Sequence, residues 1–125
     1  MPVQSGLVGK AALEVTDADT AAALGSGDVP MLGTPRVVAL VEEASVRALE
    51  GNLEDGMTSV GMRVELSHLM PVPVGRVVHA EATLEKCEGR RLTFTVNVTN
   101  EHGLVAAGKV TRVIVHRETF LSKAT

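Results

Sequence analysis

The sequence predicts an α+β domain, in which one long helix covers the apolar face of an antiparallel sheet. Two observations lead there. A single stretch, Thr34 to Gly51, carries apolar residues at helical spacing. Four strand-like runs come after it with little between them, and the connections EGR and NEHG are of the short kind that antiparallel hairpins use.

In chain order, Val8 to Val15 reads as a short strand. Asp17 to Leu24 makes one or two helical turns, with its acidic residues at the favourable positive end. Gly25, Gly27 and Pro30 then punctuate a loop. Thr34 is a permitted N-cap for the long helix, with Pro35 at the first helical position, where a missing N–H costs nothing. Val37, Val38, Leu40, Val41, Ala44, Ala48 and Leu49 form its apolar stripe, and Gly51 ends it at a position suited to positive φ. The strand runs are roughly Thr58 to Met70, Gly75 to Glu88, Arg90 to Asn100 and Val105 to Arg117. Leu92, Phe94, Val96 and Val98 alternate with Thr93, Thr95, Asn97 and Thr99, the period of a half-buried strand.

Composition bounds the function. The 125 residues fit a single domain, residues 1–125, and 45% of them are hydrophobic, enough to fold around a modest core. With no Trp or Tyr and only two Phe, that core is Val, Leu, Ala and Met. The lack of aromatic faces argues against a base-stacking platform, and a net charge of -3 against phosphate binding, so no nucleic-acid partner is expected. Cys87 is the only cysteine, which excludes an internal disulfide and a clustered thiolate metal site and fits a reducing cytoplasm. No His-x-x-x-His pair exists, so no metal is expected. Neither a signal-peptide run nor a membrane-length apolar stretch is present, and a cytoplasmic protein without a membrane partner is expected.

Three residues between Leu32 and Gly75 are of the types that hydrolytic chemistry needs: the Thr34 hydroxyl, the Glu42 carboxylate and the His68 imidazole. Glu43 has Arg47 four residues on and pairs with it on a solvated face. Glu42 instead has Val38 and Val46 at those spacings. It is either a rim glutamate whose stem covers apolar surface or a partly desolvated carboxylate suited to act as a base. His68 comes after Val60, Met62, Val64 and Leu66 at strand period and is expected on their face, as a structural histidine or a catalytic one. The prolines after it predict a bend or bulge there, of the kind that re-aims side chains beside active sites. Thr34 is a helix cap, or a hydroxyl beside free N–H groups that receive an oxyanion. Arg112 has the parity of Val110 and Ile114. It either points to the buried face, where it needs a partner, or lies beyond the core's edge. His79, on the polar parity of its strand, His102 in a turn and His116 near the chain end offer less.

These residues stand in an order that resembles the hotdog-fold thioesterases, in the family typified by fluoroacetyl-CoA thioesterase. The resemblance runs from Gly33 to Phe120. It rests on Gly33-Thr34 with Glu42 and the adjoining ASVRAL, Gly61 with His68, GRVV after the prolines, EGRRL at Glu88 to Leu92, and RVIVHRETF at Arg112 to Phe120. It implies a hotdog fold, a strongly curved antiparallel sheet wrapped around the long helix, acting as a homodimer; whether two dimers pair into a tetramer is left open. It implies catalysis by Thr34, Glu42 and His68 and substrate contacts from Gly61 and Arg112. The implied reaction is hydrolysis of an acyl-CoA thioester to a carboxylate and free CoA, with no cofactor beyond the CoA of the substrate. Arg90 and Arg91 could then meet CoA phosphates. The loop before Thr34 lacks the phenylalanines that cover the type enzyme's site, so fluoroacetyl-CoA itself is not implied. The rival readings are a hotdog protein that binds acyl-CoA without catalysis, a hydratase, and a purely structural dimer.

One geometric difficulty is visible already. Eight helical residues separate Thr34 from Glu42 by roughly 12 Å along the axis. They meet one substrate only if the Pro30–Thr34 loop folds back or a second chain supplies one of them.

Overall fold

A computed structural model describes residues 3–125, so Met1 and Pro2 of the expected 1–125 domain lie outside the described residues. The strands are β1 (Val8–Glu14), β2 (Met57–His68), β3 (Val77–Glu88), β4 (Arg91–Asn100) and β5 (Gly103–His116). The helices are α1 (Ala21–Leu24), α2 (Thr34–Leu49) and α3 (Arg117–Ser122), with a 3₁₀ turn at Asp17–Asp19. All five strands form one antiparallel sheet in the order β1-β3-β4-β5-β2, which leaves β1 and β2 at its edges. This is the hotdog arrangement, with α2 against the sheet's inner face. Among the described residues no helix is long and apolar enough to cross a membrane.

The helix seats itself through its small residues. Val37, Leu40, Val41, Ala44, Ala48 and Leu49 are buried, and α2 packs most heavily on β1 and β3. At the crossing, Gly9 of β1 lies so close to Ala44 and Ala48 that a Cβ there would collide with the helix backbone. Ala11, Ala80 and Ala82 keep the neighbouring floor low, while Phe94, Leu84 and Leu92 fill the volume farther along. Each fully buried Val or Leu contributes about 1.5–3 kcal/mol. Ser45, buried in the same face, spends its hydroxyl on the Val41 carbonyl at 2.8 Å.

Sequence expectation and structure differ at the start of α2 and along β2. The N-cap of α2 is Gly33, not Thr34, which takes the first helical position with Pro35 second. The Gly33 N–H donates to the Asp19 carbonyl at 2.8 Å, Gly33 offers no side chain to cap with, and the Thr34 hydroxyl lies against His68. β5 ends at His116, one residue before the expected end at Arg117, and α3 begins there. The bend expected after His68 is present at Met70, and β2 carries in addition an unexpected bulge between Gly61 and Arg63. That bulge inserts Met62 as an extra residue and inverts the facing of the residues beyond it. Gly61 pairs with Arg112 and Val64 with Val110, so Ser59, Gly61, Val64, Leu66 and His68 share the inner face. Val60 does not share it with His68, and Met62 is half exposed. Gly51, by contrast, has the positive φ expected of it, at 76°.

Candidate active site

The structure brings the five expected residues together as two groups. At the start of α2, Thr34 Oγ1 lies 2.9 Å from His68 Nδ1 at the end of β2. Two backbone tethers hold that end of the helix. Leu32 N–H donates to the Val72 carbonyl, and Met31 bridges Pro73, so the proline-rich segment after β2 braces the loop before Thr34. A cleft of about 530 Å³ opens between the two segments, with Thr34 and His68 on its wall.

His68 Nε2 is buried and has no hydrogen-bond partner among the described residues.

The second group sits farther along α2 and β2. Glu42 Oε2 accepts from Arg112 Nη1 at 3.3 Å. Arg112 is buried, and burial pulls its pKa below the ordinary guanidinium value while the Glu42 carboxylate opposes the shift. Ser59 holds the other side of the fork, Nε donating to its hydroxyl at 2.9 Å and Nη2 to its carbonyl at 3.0 Å. Gly61 completes the group, since a Cβ there would run into Glu42 Oε2. Of the two readings of Arg112, the buried one holds. Glu42 is about a third exposed and paired rather than a free rim residue, whereas Glu43 pairs with Arg47 at 2.7 Å on the solvated face. No hydrogen bond joins Glu42 to Thr34 or His68 among the described residues.

Two supporting residues went unread in the sequence. Asp19 ties the 3₁₀ turn to the first turn of α2. Its carboxylate accepts from Thr16 N–H at 2.8 Å, Thr16 Oγ1 at 3.0 Å and Arg36 Nε at 3.2 Å. Burial pushes its pKa up, but these bonds and the Arg36 charge outweigh that and hold it below the ordinary value. The spacing Thr16-x-x-Asp19 is a capping pattern that could have marked it. Ser59 carried no signal beyond being a polar residue in a strand. His79, His102, His116, Arg90 and Arg91 are exposed and stand apart from both groups.

Known proteins share this architecture. Residues 15–118 match the family of fluoroacetyl-CoA-specific thioesterases, FlK. The fluoroacetyl-CoA thioesterase of Streptantibioticus cattleyicolor is 33% identical over 93 residues, 74% of this chain and 67% of that one. A crystal structure of the fluoroacetyl-CoA thioesterase FlK superposes with a TM-score of 0.91 at 28% identity, covering 99% of this chain and 96% of that one. A Thermus thermophilus protein solved as a thioesterase superfamily member gives a TM-score of 0.90 at 29% identity, covering 98% and 90%. Fold and relatives together define a thioester hydrolase of the hotdog class. The chain belongs to the fluoroacetyl-CoA-specific thioesterase family.

Proposed function

We propose that this protein hydrolyses acyl-CoA thioesters at a composite site, with Thr34 and His68 from one protomer and Glu42, Gly61 and Arg112 from a second copy. The observation that carries the reading is the 2.9 Å contact between Thr34 and His68 on the wall of a cleft, with Glu42 held in a separate group.

β2 is an open edge, and it carries both His68 and Gly61. Two such edges pair antiparallel about a two-fold axis. Residues directly opposite each other must point to the same face. Seven positions separate Gly61 from His68, an odd number that would put them on opposite faces of a regular strand. The bulge at Met62 removes that mismatch. An axis through Glu65 then sets Gly61 opposite the partner's His68, and Val64 opposite the partner's Leu66. Glu65 would meet its own copy there, and its ion pair with Arg63 at 3.2 Å offsets the like charge.

In this site the neutral His68 imidazole, with its proton on Nε2, takes the proton of Thr34 Oγ1 at Nδ1 as that oxygen attacks the thioester carbonyl carbon. The partner's Glu42 carboxylate favours the imidazolium that forms. The backbone amide at Gly61, where a side chain would crowd the substrate, is the candidate donor to the carbonyl oxygen as it gains charge. The C–S bond breaks, and CoA leaves as the thiol with the proton from His68. Glu42 then deprotonates a water that attacks acyl-Thr34, giving the carboxylic acid and restoring the hydroxyl. Arg112 keeps Glu42 aimed.

Free-thiol release from short, medium and aromatic acyl-CoAs tests this, run beside Glu42→Gln, His68→Ala, Thr34→Ser and Thr34→Ala. Glu42→Gln and His68→Ala lose turnover, Thr34→Ser keeps it, and Thr34→Ala loses at least about 100-fold. Full activity in Glu42→Gln would remove the mechanism. A Thr34→Ala variant within tenfold of the parent would replace the acyl-enzyme with direct attack by water.

A further inference from the structure

The cleft beside Thr34 and His68 has a chemistry of its own. Its walls are aliphatic, from Ala21, Val29, Met31, Leu32, Met70 and Pro71, and no phenylalanine lines it. At about 530 Å³ it falls within the range of small-molecule pockets and is larger than a two-carbon acyl group requires. One large apolar side chain is left open to water there, Val29 at 50% exposure. Asp28 is the only carboxylate on the lining, and no lysine or arginine joins it among the described residues.

We infer that this cleft is the acyl pocket, and that it takes an uncharged aliphatic acyl group longer than acetyl. The inference rests on the thioesterase reading above, because Thr34 on the cleft wall is what places the reacting carbonyl at its mouth. Chain carbons beyond the carbonyl then run across Val29 and Met31 toward Met70, covering apolar surface that is otherwise wet. An acyl group ending in a carboxylate is disfavoured, since it would lie against Asp28 with no cation to receive it. Val29 and Asp28 therefore set specificity, one by volume and the other by charge.

The closing experiment measures kcat/KM for acetyl-, butyryl-, hexanoyl-, phenylacetyl- and succinyl-CoA, with calorimetric binding of the same panel. Each methylene drawn from water into the cleft raises kcat/KM about two- to fourfold. Hexanoyl-CoA thus exceeds acetyl-CoA by at least about tenfold, and succinyl-CoA falls below butyryl-CoA. Val29→Phe lowers turnover of hexanoyl-CoA more than that of acetyl-CoA, and Asp28→Lys raises succinyl-CoA. Both positions are exposed, so these variants keep the fold. Hydrolysis with a flat length profile, or a preference for acetyl-, phenylacetyl- or succinyl-CoA, overturns the inference and leaves the thioesterase reading standing. An equal effect of Val29→Phe on every substrate would give the cleft to the pantetheine arm instead. No thiol release, with tighter binding of hexanoyl-CoA than of acetyl-CoA, keeps the acyl pocket and removes the hydrolysis. No release and no binding preference removes both.

Discussion

Arg112 and Glu42 meet at 3.3 Å across the inner face of the sheet, and Ser59 holds the rest of the guanidinium by two further bonds. The chain that fixes the carboxylate thus runs from a strand backbone through a buried cation.

Removing Ser59 Oγ leaves Arg112 Nε unpaired in a buried position, at a cost of about 1–3 kcal/mol. Ser59→Ala is therefore expected to unfold at lower urea, and to lower kcat with little change in KM, because Glu42 loses its fixed orientation rather than its charge. Unfolding curves beside steady-state kinetics check both. An unchanged kcat would show that Ser59 serves stability alone.

Gly61→Ala displaces Glu42 while keeping its charge, and narrows the space left for substrate. The new methyl group meets the far end of a flexible side chain, so Glu42 moves and the strand does not. Turnover falls about 10- to 100-fold, as a displacement near 1 Å commonly produces. Thermal unfolding stays within about 1 kcal/mol of the parent. Parent-like kinetics would mean that the observed carboxylate position is not the working one.

Mixing two dead proteins tests the shared site. In a composite dimer, Thr34→Ala mixed with Glu42→Gln restores one intact site per mixed dimer, so random exchange recovers about one quarter of parental activity. Sites contained within single chains recover nothing. Thiol release after subunit exchange, with dimer mass checked by light scattering, separates the two.

Asp19 gives a pH dependence whose sign can be worked out. Its folded pKa lies below the ordinary carboxylate value, so the folded state binds the proton less tightly than the unfolded one. Its contribution to stability is fully present above the unfolded pKa and fades as pH falls through the folded value. Asp19→Asn should therefore destabilise the protein at neutral pH, with the gap from the parent closing below about pH 4. A gap independent of pH would mean that the Asp19 charge is immaterial. Because the Asp19 carboxylate also holds Arg36 in the first turn of α2, the variant should lose part of its activity through a looser Thr34.

Much of this was legible in the chain. Helical spacing marked α2 to within two residues of its end at Leu49, and alternation picked out Leu92, Phe94, Val96 and Val98 as core. These are local signals, set by a period of 3.6 or 2 that a short window contains. Thr34, Glu42 and His68 could be chosen by residue type and by resemblance. The sequence could also show that Thr34 and Glu42 are too far apart on one helix to act together unaided.

What only the tertiary structure decided is who meets whom. The bulge at Met62 puts Gly61 and His68 on one face. α2 starts one residue earlier than its threonine suggests, with Gly33 as the cap, held to Asp19, and Thr34 against His68. Burial of Arg112 gives Glu42 its partner. Each outcome depends on strand register and on contacts between residues 14 to 70 positions apart in the chain. A one-residue slip in β2 would turn His68 to the outer face, and no local pattern records which register the packed sheet adopts.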